Sequence, residues 1–478
     1  MKIYKIKMSN ALCAADLGDG SERGEYVDQD YILSKLGRPL RSISLMYCYY
    51  PLDEHWPARI SEAVSGENIS FQWDYPYDDY FPYTGGLGGD RNGEPFQSMR
   101  DVRRHGQDVT LTITMDPHIS DEHLAAIGKD LKTFGRVFLR INHEATGNWF
   151  TFNKRVSYQE VADFYCRAAR IIKEHAPNVL NIICIGGVEH PETGKIEKEE
   201  EFTQAVLEAD IWSVDKYMAL HWGWPYDIAD EGGNSFGRSA VRDIFDLTKQ
   251  SFERFKYLNG GTSKPMVMSE FNADGDVTGP YEQAEMVKLF CDILEEEKAD
   301  WFTGFTFYQF RDRGRLGLEI EDPNNKNVGI EQPVMQTYKK IIHSSRFLPS
   351  ITQSDETELP VTLRWGNSED AEGIGIPVHF DGAPCFCELY FEDDSNLIIE
   401  INGRWFYKAP ETKFVDLMPA FFEKNVSGST DLLLKIFAPP AGGENDISTE
   451  DGIFNYYYTL TKLPEIRIRT APVLPSAD

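Results

Sequence analysis

Long apolar runs are what this chain most plainly lacks. Nothing in its 478 residues approaches 18 consecutive apolar positions, so no membrane-crossing helix is expected. The opening stretch, MKIYKIKMSNALCAADLGDG, alternates lysine with apolar residues and has no continuous apolar core, so it does not read as a signal peptide. Location is left open between the cytoplasm and a secreted protein whose leader is not in this sequence. Basic residues are scarce as well. Lys and Arg number 48 against 77 Asp and Glu, a formal charge of −29, and that field repels phosphate backbones, which excludes nucleic acid as an expected partner. Cysteines number seven, at 13, 48, 166, 184, 291, 385 and 387, with no CxxC. An odd, scattered set supports neither a disulfide scaffold nor a zinc site. They read as free, buried thiols in a reducing compartment, or as inert ones in a secreted protein. Cys385 and Cys387 stand two apart in a strand-like run and should share one face of it. There is no HExxH, since His143-Glu144 is followed by Ala-Thr-Gly, and no GxSxG elbow. No metal and no cofactor is therefore expected. Low-complexity tracts are also absent.

What is present is a globular composition, 41% hydrophobic and 26% charged, with a length suited to two or three domains. Strand-like runs lie at 43–50, 69–75, 109–116, 136–144, 179–187, 211–220, 265–271 and 304–310. Helical patterns separate most of them. Val161, Phe164, Tyr165, Ala168 and Ile172 follow the i, i+3, i+4 rule, as do Met286, Leu289, Phe290, Ile293 and Leu294. Eight strands alternating with helices predict an α/β fold, a (β/α)₈ TIM barrel over residues 1–350. A short acidic linker is expected at 351–358. From 359 to 478 helical periodicity gives way to short alternating runs parted by Gly, Pro, Asn and Asp, which predicts a C-terminal all-β sandwich domain.

Barrel active sites lie at the C-terminal ends of the strands. Strand 4 of this reading ends in Asn142-His143-Glu144 and strand 7 in Ser269-Glu270. Other polar strand ends are Trp73-Asp74, Asp116 and His118, Asp215 and Tyr217, and Gln309, Arg311 and Asp312. Two glutamates facing each other across a barrel mouth are what glycosidic bond cleavage needs: one protonates the leaving oxygen, the other attacks or stabilises the sugar cation.

The stretch LRINHEATGNWFTF at 139–152 resembles the strand-4 motif of glycoside hydrolase family 26, in which Arg is followed by His-Glu, then Gly and Trp-Phe. That family belongs to the clan of retaining (β/α)₈ glycosidases with catalytic glutamates on strands 4 and 7. The resemblance implies Glu144 as acid/base and Glu270, in VMSEFN, as nucleophile. It also implies His143 as the neighbour that orients the acid/base, Arg140 as the motif arginine, Trp149 as a sugar platform, and Tyr217 as the tyrosine that hydrogen-bonds the nucleophile. Asn142, His221, Trp222 and Trp73 complete the expected substrate contacts, with Tyr308 or Gln309 where the clan often has tryptophan at the end of strand 8. Phe271-Asn272-Ala273 stands where the family usually has a glycine soon after its nucleophile. The implied activity is retaining, endo-acting cleavage of a β-linked polysaccharide, β-mannan first, with β-1,3-xylan or β-glucan as alternatives. A transglycosylase and a catalytically silent glycan-binding barrel are further readings. The implied partner is an oligo- or polysaccharide.

Aromatic residues make up 13% of the chain and crowd the predicted mouth: Tyr49, Tyr50, Trp73, Tyr75, Tyr77, Tyr80, Phe81, Tyr83, Trp149, Phe150, Trp222, Trp224 and Tyr226. Their flat faces suit the C–H faces of sugars. TGGLGGD at 84–90 reads as a flexible subsite loop. Arg311, Arg313 and Arg315 sit near acidic residues that should absorb their charge. Trp405, Phe406 and Tyr407 are consecutive, so the β domain must expose an aromatic or bury it against the barrel, and bracing of the barrel is the favoured reading.

Overall fold

The computed structural model describes residues 2–9, 14–18, 27–56, 58, 81–188, 192–220, 239–312, 314–366, 371–422, 426–438 and 455–472. Eight parallel strands form a ring: Ala14–Gly18, Ser42–Tyr49, Asp108–Met115, Val137–Ile141, Val179–Cys184, Ile211–Ser213, Met266–Ala273 and Phe302–Phe307. Each pairs with the next, and the last pairs with the first through Gly304 and Ala14. Lys216–Ala219 continues the sixth strand along the seventh. A helix follows every strand: Gln29–Leu36, Phe96–Arg104, Asp121–Leu131, Tyr158–His175, Glu199–Glu208, Val241–Leu258, Pro280–Glu296 and Pro333–Ile342. This arrangement fits a (β/α)₈ fold.

The local reasons are ordinary ones. Ser42–Tyr49 and Asp108–Met115 are buried along their whole length, as strands covered on both faces must be. Tyr158–His175 begins at a capping box between Ser157 and Glu160, which satisfies two otherwise orphaned backbone N–H groups. Its predicted apolar stripe is buried. In Pro280–Glu296 the stripe is buried too, except for Leu289. No helix among the described residues is long and apolar enough to cross a membrane.

The strand count needs one correction. The run at 43–50 is the second strand of the ring, because Ala14–Gly18, short, poor in β-branched residues and closed by glycine, holds the first place. The run at 69–75 lies outside the described residues. The third to eighth places are unchanged.

The chain's first strand, Tyr4–Ser9, pairs antiparallel with Ser350–Glu356 and with Ala371–Phe380. It thus joins the C-terminal β region although residues 1–350 were expected to form the barrel. Its lysine–apolar alternation is that of a half-buried strand, with Ile6 inside. The acidic stretch expected as a linker at 351–358 is strand over Ser350–Glu356, held by that pairing. Beyond it, the sheet runs through Ala371–Phe380, Thr430–Phe437, Leu397–Ile401 and Arg404–Lys408. A separate three-stranded sheet joins Phe414–Asp416, Ala383–Tyr390 and Glu465–Ala471. Ile374, Ile376, Leu434 and Ile436 of the first share one apolar core with Cys387, Leu389 and Val415 of the second. Cys385 and Cys387 do not share a face. A bulge between Pro384 and Phe386 shifts the register, leaving Cys385 exposed and Cys387 buried.

The three consecutive aromatics divide between the two sides of their strand. Phe406 packs on the β core. Trp405 stacks on Phe437 with centroids 5.8 Å apart, and its backbone N–H donates to Gly37 O of the barrel at 2.8 Å. Tyr407 meets the ring of His105 at 5.2 Å. These contacts tie the β region to the barrel.

Candidate active site

Glu144 stands just past the fourth strand. Asn142 and Glu144 both take left-handed backbone angles, φ 47° and 48°, so the chain turns sharply where the strand ends. Asn142 makes the turn rigid: its Oδ1 accepts Met115 N–H at 2.6 Å and its Nδ2 donates to Met115 O at 3.1 Å. The amide expected to meet substrate is therefore occupied by the neighbouring strand. Trp149 folds back over Gly147, where a Cβ would fall 2.5 Å from the indole. Only glycine lets the ring lie there, and its Nε1–H then donates to Glu144 Oε2 at 3.0 Å.

Glu270, in the seventh strand, is buried and held from two sides. Arg140 Nη2 donates to Oε1 at 2.7 Å, and Tyr217 Oη donates to Oε2 at 2.7 Å. Arg140 itself is fully buried. Its Nε donates to Thr112 Oγ1 at 2.7 Å, and its Nη1 to Asp215 Oδ2 at 3.0 Å and Ser269 Oγ at 3.1 Å. His143 lies beside the other glutamate from the one expected, with Nε2 3.9 Å from Glu270 Oε1 and its ring against Phe150. Burial and the Arg140 charge hold His143 well below the usual imidazole range, so it is neutral.

An oxygen of each of Glu144, Asp215 and Glu270 lies within 4.8 Å of the others. That spacing could suit a cation, but the Arg140 guanidinium already bonds two of the three carboxylates and opposes a second positive charge. Removal from water raises both glutamates above the usual carboxyl range. In Glu144 the charges of Glu270 and Asp215 push further the same way, and it stands well above that range. In Glu270 the adjacent Arg140 and Tyr217 work against the rise. Of the pair, Glu270 ionises first and Glu144 keeps its proton longer.

The other expected residues are dispersed. Tyr308 meets the Tyr217 ring edge-on at 6.3 Å. Gln309 is buried and donates to Asp312 Oδ1 at 3.2 Å. Trp73, His221 and Trp222 lie outside the described residues, as do Tyr75, Tyr77, Tyr80, Trp224, Tyr226 and Arg313. Tyr49, Tyr50 and Tyr83, expected at the mouth, are core residues. The 84–90 loop is anchored at its start, where Gly86 N donates to Asp130 Oδ2 at 2.7 Å and Leu87 N to Tyr49 Oη at 3.2 Å, while residues 87–90 are exposed. Arg311 is buried and ion-paired with Glu321 at 3.3 Å, as expected of an internally compensated charge. A cavity of about 490 Å³ lies at the opposite end of the ring, between strand starts such as Phe138, Leu180 and Val267 and the β-region residues Trp365 and Trp405. It reaches inward as far as Ser269, and its Arg136 is already paired with Asp108. Asp215 is the participant expected at a strand end without an assigned role.

No family model matches the chain, and no curated protein does. Among solved structures, a family 51 α-L-arabinofuranosidase from Bifidobacterium longum is similar over 90% of this chain and 97% of its own, at 11% identity and a TM-score of 0.46. A GH26 β-mannanase from Bacteroides ovatus is similar over 70% of this chain and 89% of its own, at 12% identity and a TM-score of 0.43. A β-glucosidase from Thermotoga maritima covers 71% and is itself covered to 98%, at 9% identity and a TM-score of 0.46.

Proposed function

We propose that the chain is a retaining glycoside hydrolase, with Glu270 as nucleophile and Glu144 as acid/base. The observation that carries this reading is the pair of carboxyl groups with oxygens within 4.8 Å. That upper bound is in keeping with the roughly 5–5.5 Å of retaining enzymes and falls short of the roughly 6.5–9.5 Å that leaves room for an inverting water. The two groups are also differently held, as double displacement requires. Glu270, gripped by Arg140 and Tyr217, is the one poised as an anion to attack the anomeric carbon. Glu144, with one neutral donor among the described residues, keeps a proton to deliver to the departing oxygen. Once Glu270 carries the sugar its charge is gone, and the ionised Glu144 can draw a proton from the incoming water.

Within that class, β-mannan is the substrate we propose, acted on internally. Support comes from the run Arg140, His143, Glu144, Gly147, Trp149 and Phe150, which resembles the family 26 motif. The β region acts as a sandwich that braces the barrel through Trp405 and Tyr407. A product assay on mannan, β-1,3-xylan, β-glucans and galactans, with anomeric configuration followed by proton NMR, tests both levels. Oligosaccharides released from mannan with the β configuration first are expected. Release from another polysaccharide would overturn the substrate, and initial α products would overturn the double displacement.

A further inference from the structure

Asp215 meets more of the site than either glutamate does. Its side chain is 2% exposed. Oδ1 accepts Ser269 Oγ–H at 2.6 Å and the backbone N–H of Glu270 at 2.8 Å. Oδ2 accepts Arg140 Nη1 at 3.0 Å and the Cys184 thiol at 3.1 Å. It thus holds the Glu270 backbone on one edge and the arginine that grips the Glu270 carboxylate on the other. Ser269 Oγ is pinned in turn by Ser213 Oγ at 2.7 Å. Resting on the glycosidase reading, we propose that Asp215 is the positioning residue of this site: it shares the charge of Arg140 with Glu270 and fixes the direction of the Glu270 carboxylate.

The charge count shows why such a residue is needed. Before reaction, Arg140 carries one positive charge, Glu270 and Asp215 one negative charge each, and Glu144 is neutral. Attack makes a bond from Glu270 to the sugar and breaks the bond to the leaving oxygen, which takes the Glu144 proton. Glu270 becomes a neutral ester and Glu144 an anion, so the total is unchanged. Arg140, fully buried, would lose its hydrogen-bonded counter-ion at that moment if Glu270 were the only one, and an unpaired buried cation is strongly unfavourable. Asp215 keeps it paired through both steps. Its negative charge also favours the protonated form of Glu144, whose other polar or titratable neighbours among the described residues are Arg140 and the adjacent His143 of the fourth strand and its turn, Cys184 of the fifth, Glu270 of the seventh and Trp149. Tyr308 lies beyond Tyr217.

The test pairs Asp215→Asn with Ser269→Ala and uses two readouts. The first needs no turnover: carbon-13 NMR titration of labelled glutamate carboxyls, with Glu144 assigned through Glu144→Gln. In Asp215→Asn the Glu144 midpoint is expected to move to lower pH, whereas Ser269→Ala, which removes no charge, should leave it in place. The second readout is turnover of 2,4-dinitrophenyl β-mannoside. Misaligned attack should lower kcat on the order of 100-fold in Asp215→Asn and about tenfold in Ser269→Ala, with KM little changed, because Asp215 is shielded from substrate. An unmoved Glu144 midpoint in Asp215→Asn, or kcat within twofold of wild type in Ser269→Ala, overturns the proposal. Should Asp215→Asn fail to fold, the Ser269→Ala rate alone decides. Wild-type protein inert toward this mannoside and every polysaccharide would instead overturn the glycosidase reading, while the titration still judges the electrostatic role of Asp215.

Discussion

Arg140→Met is the perturbation with the most calculable outcome. Methionine nearly fills the space and removes the charge, so the loss is electrostatic more than steric. Arg140 is fully buried and donates to Thr112, Asp215, Ser269 and Glu270. Removing one partner of a buried ion pair costs about 3–5 kcal/mol, because the other charge is left uncompensated. Tyr217 still donates to Glu270, and Ser269 and Cys184 to Asp215, which favours the lower end. At about 2.1 cal/mol/K of unfolding entropy per residue, a barrel of this length loses about 4–7 °C in Tm. The pH dependence carries the sharper signature. Without Arg140, Glu270 stands further above its unfolded value, so the folded state binds the proton more tightly than the unfolded chain does. Stability then falls as pH rises from the unfolded carboxyl range through the folded one. Calorimetry of wild type and variant should therefore show a smaller Tm deficit at about pH 5 than at about pH 8. An equal deficit at both would mean that packing, not charge, is what Arg140 contributes.

Glu270→Ala should abolish turnover while leaving Tm within a few degrees of wild type, since Arg140 retains Asp215; added azide should restore product with inverted configuration, and undiminished activity without azide would remove Glu270 from the nucleophile's place. In the wild-type kcat/KM profile the alkaline limb should follow Glu144, because activity is lost as that group surrenders its proton. Trp149→Phe deletes the N–H that favours ionised Glu144, so that limb should move to higher pH; a shift the other way would contradict the bond's assigned effect. Gly147→Ala places a methyl carbon 2.5 Å from the indole, and kcat should fall as Trp149 leaves Glu144, with indole fluorescence reporting the displacement.

Much of the barrel was legible because its strands are long apolar runs and its helices carry clean stripes. What escaped had no such signal. Ala14–Gly18 is five residues without a β-branched side chain, and it holds its place through pairing with strands on either side. Tyr4–Ser9 alternates as a strand should, yet nothing local shows that its partners begin about 350 residues later. The Cys385 register depends on a bulge, which one inserted residue creates and no periodicity announces. The aromatic crowd was overread for a related reason. Tyr49, Tyr50 and Tyr83 come from the strand that opens the mouth and the loop beyond it, but in a barrel wall the outward face of a strand is buried under helices as thoroughly as the inward face is filled.

The two glutamates could be paired from sequence because each stands near the end of an apolar strand-like run and carries an obvious chemistry. Their difference could not. It arises from groups spread over four strands: Arg140 on the fourth, Cys184 on the fifth, Asp215 and Tyr217 on the sixth and its continuation, and Ser269 beside Glu270 on the seventh. Asp215 is 75 positions from Arg140 and 55 from Glu270, and only ring closure brings the three together. An arginine, an aspartate and a tyrosine in separate motifs each have a bland explanation as buried polar groups needing partners. Joined at one point, they give one carboxyl a cationic and a phenolic donor and leave the other, among the described residues, with a single indole N–H. That asymmetry sets which of the two glutamates ionises first.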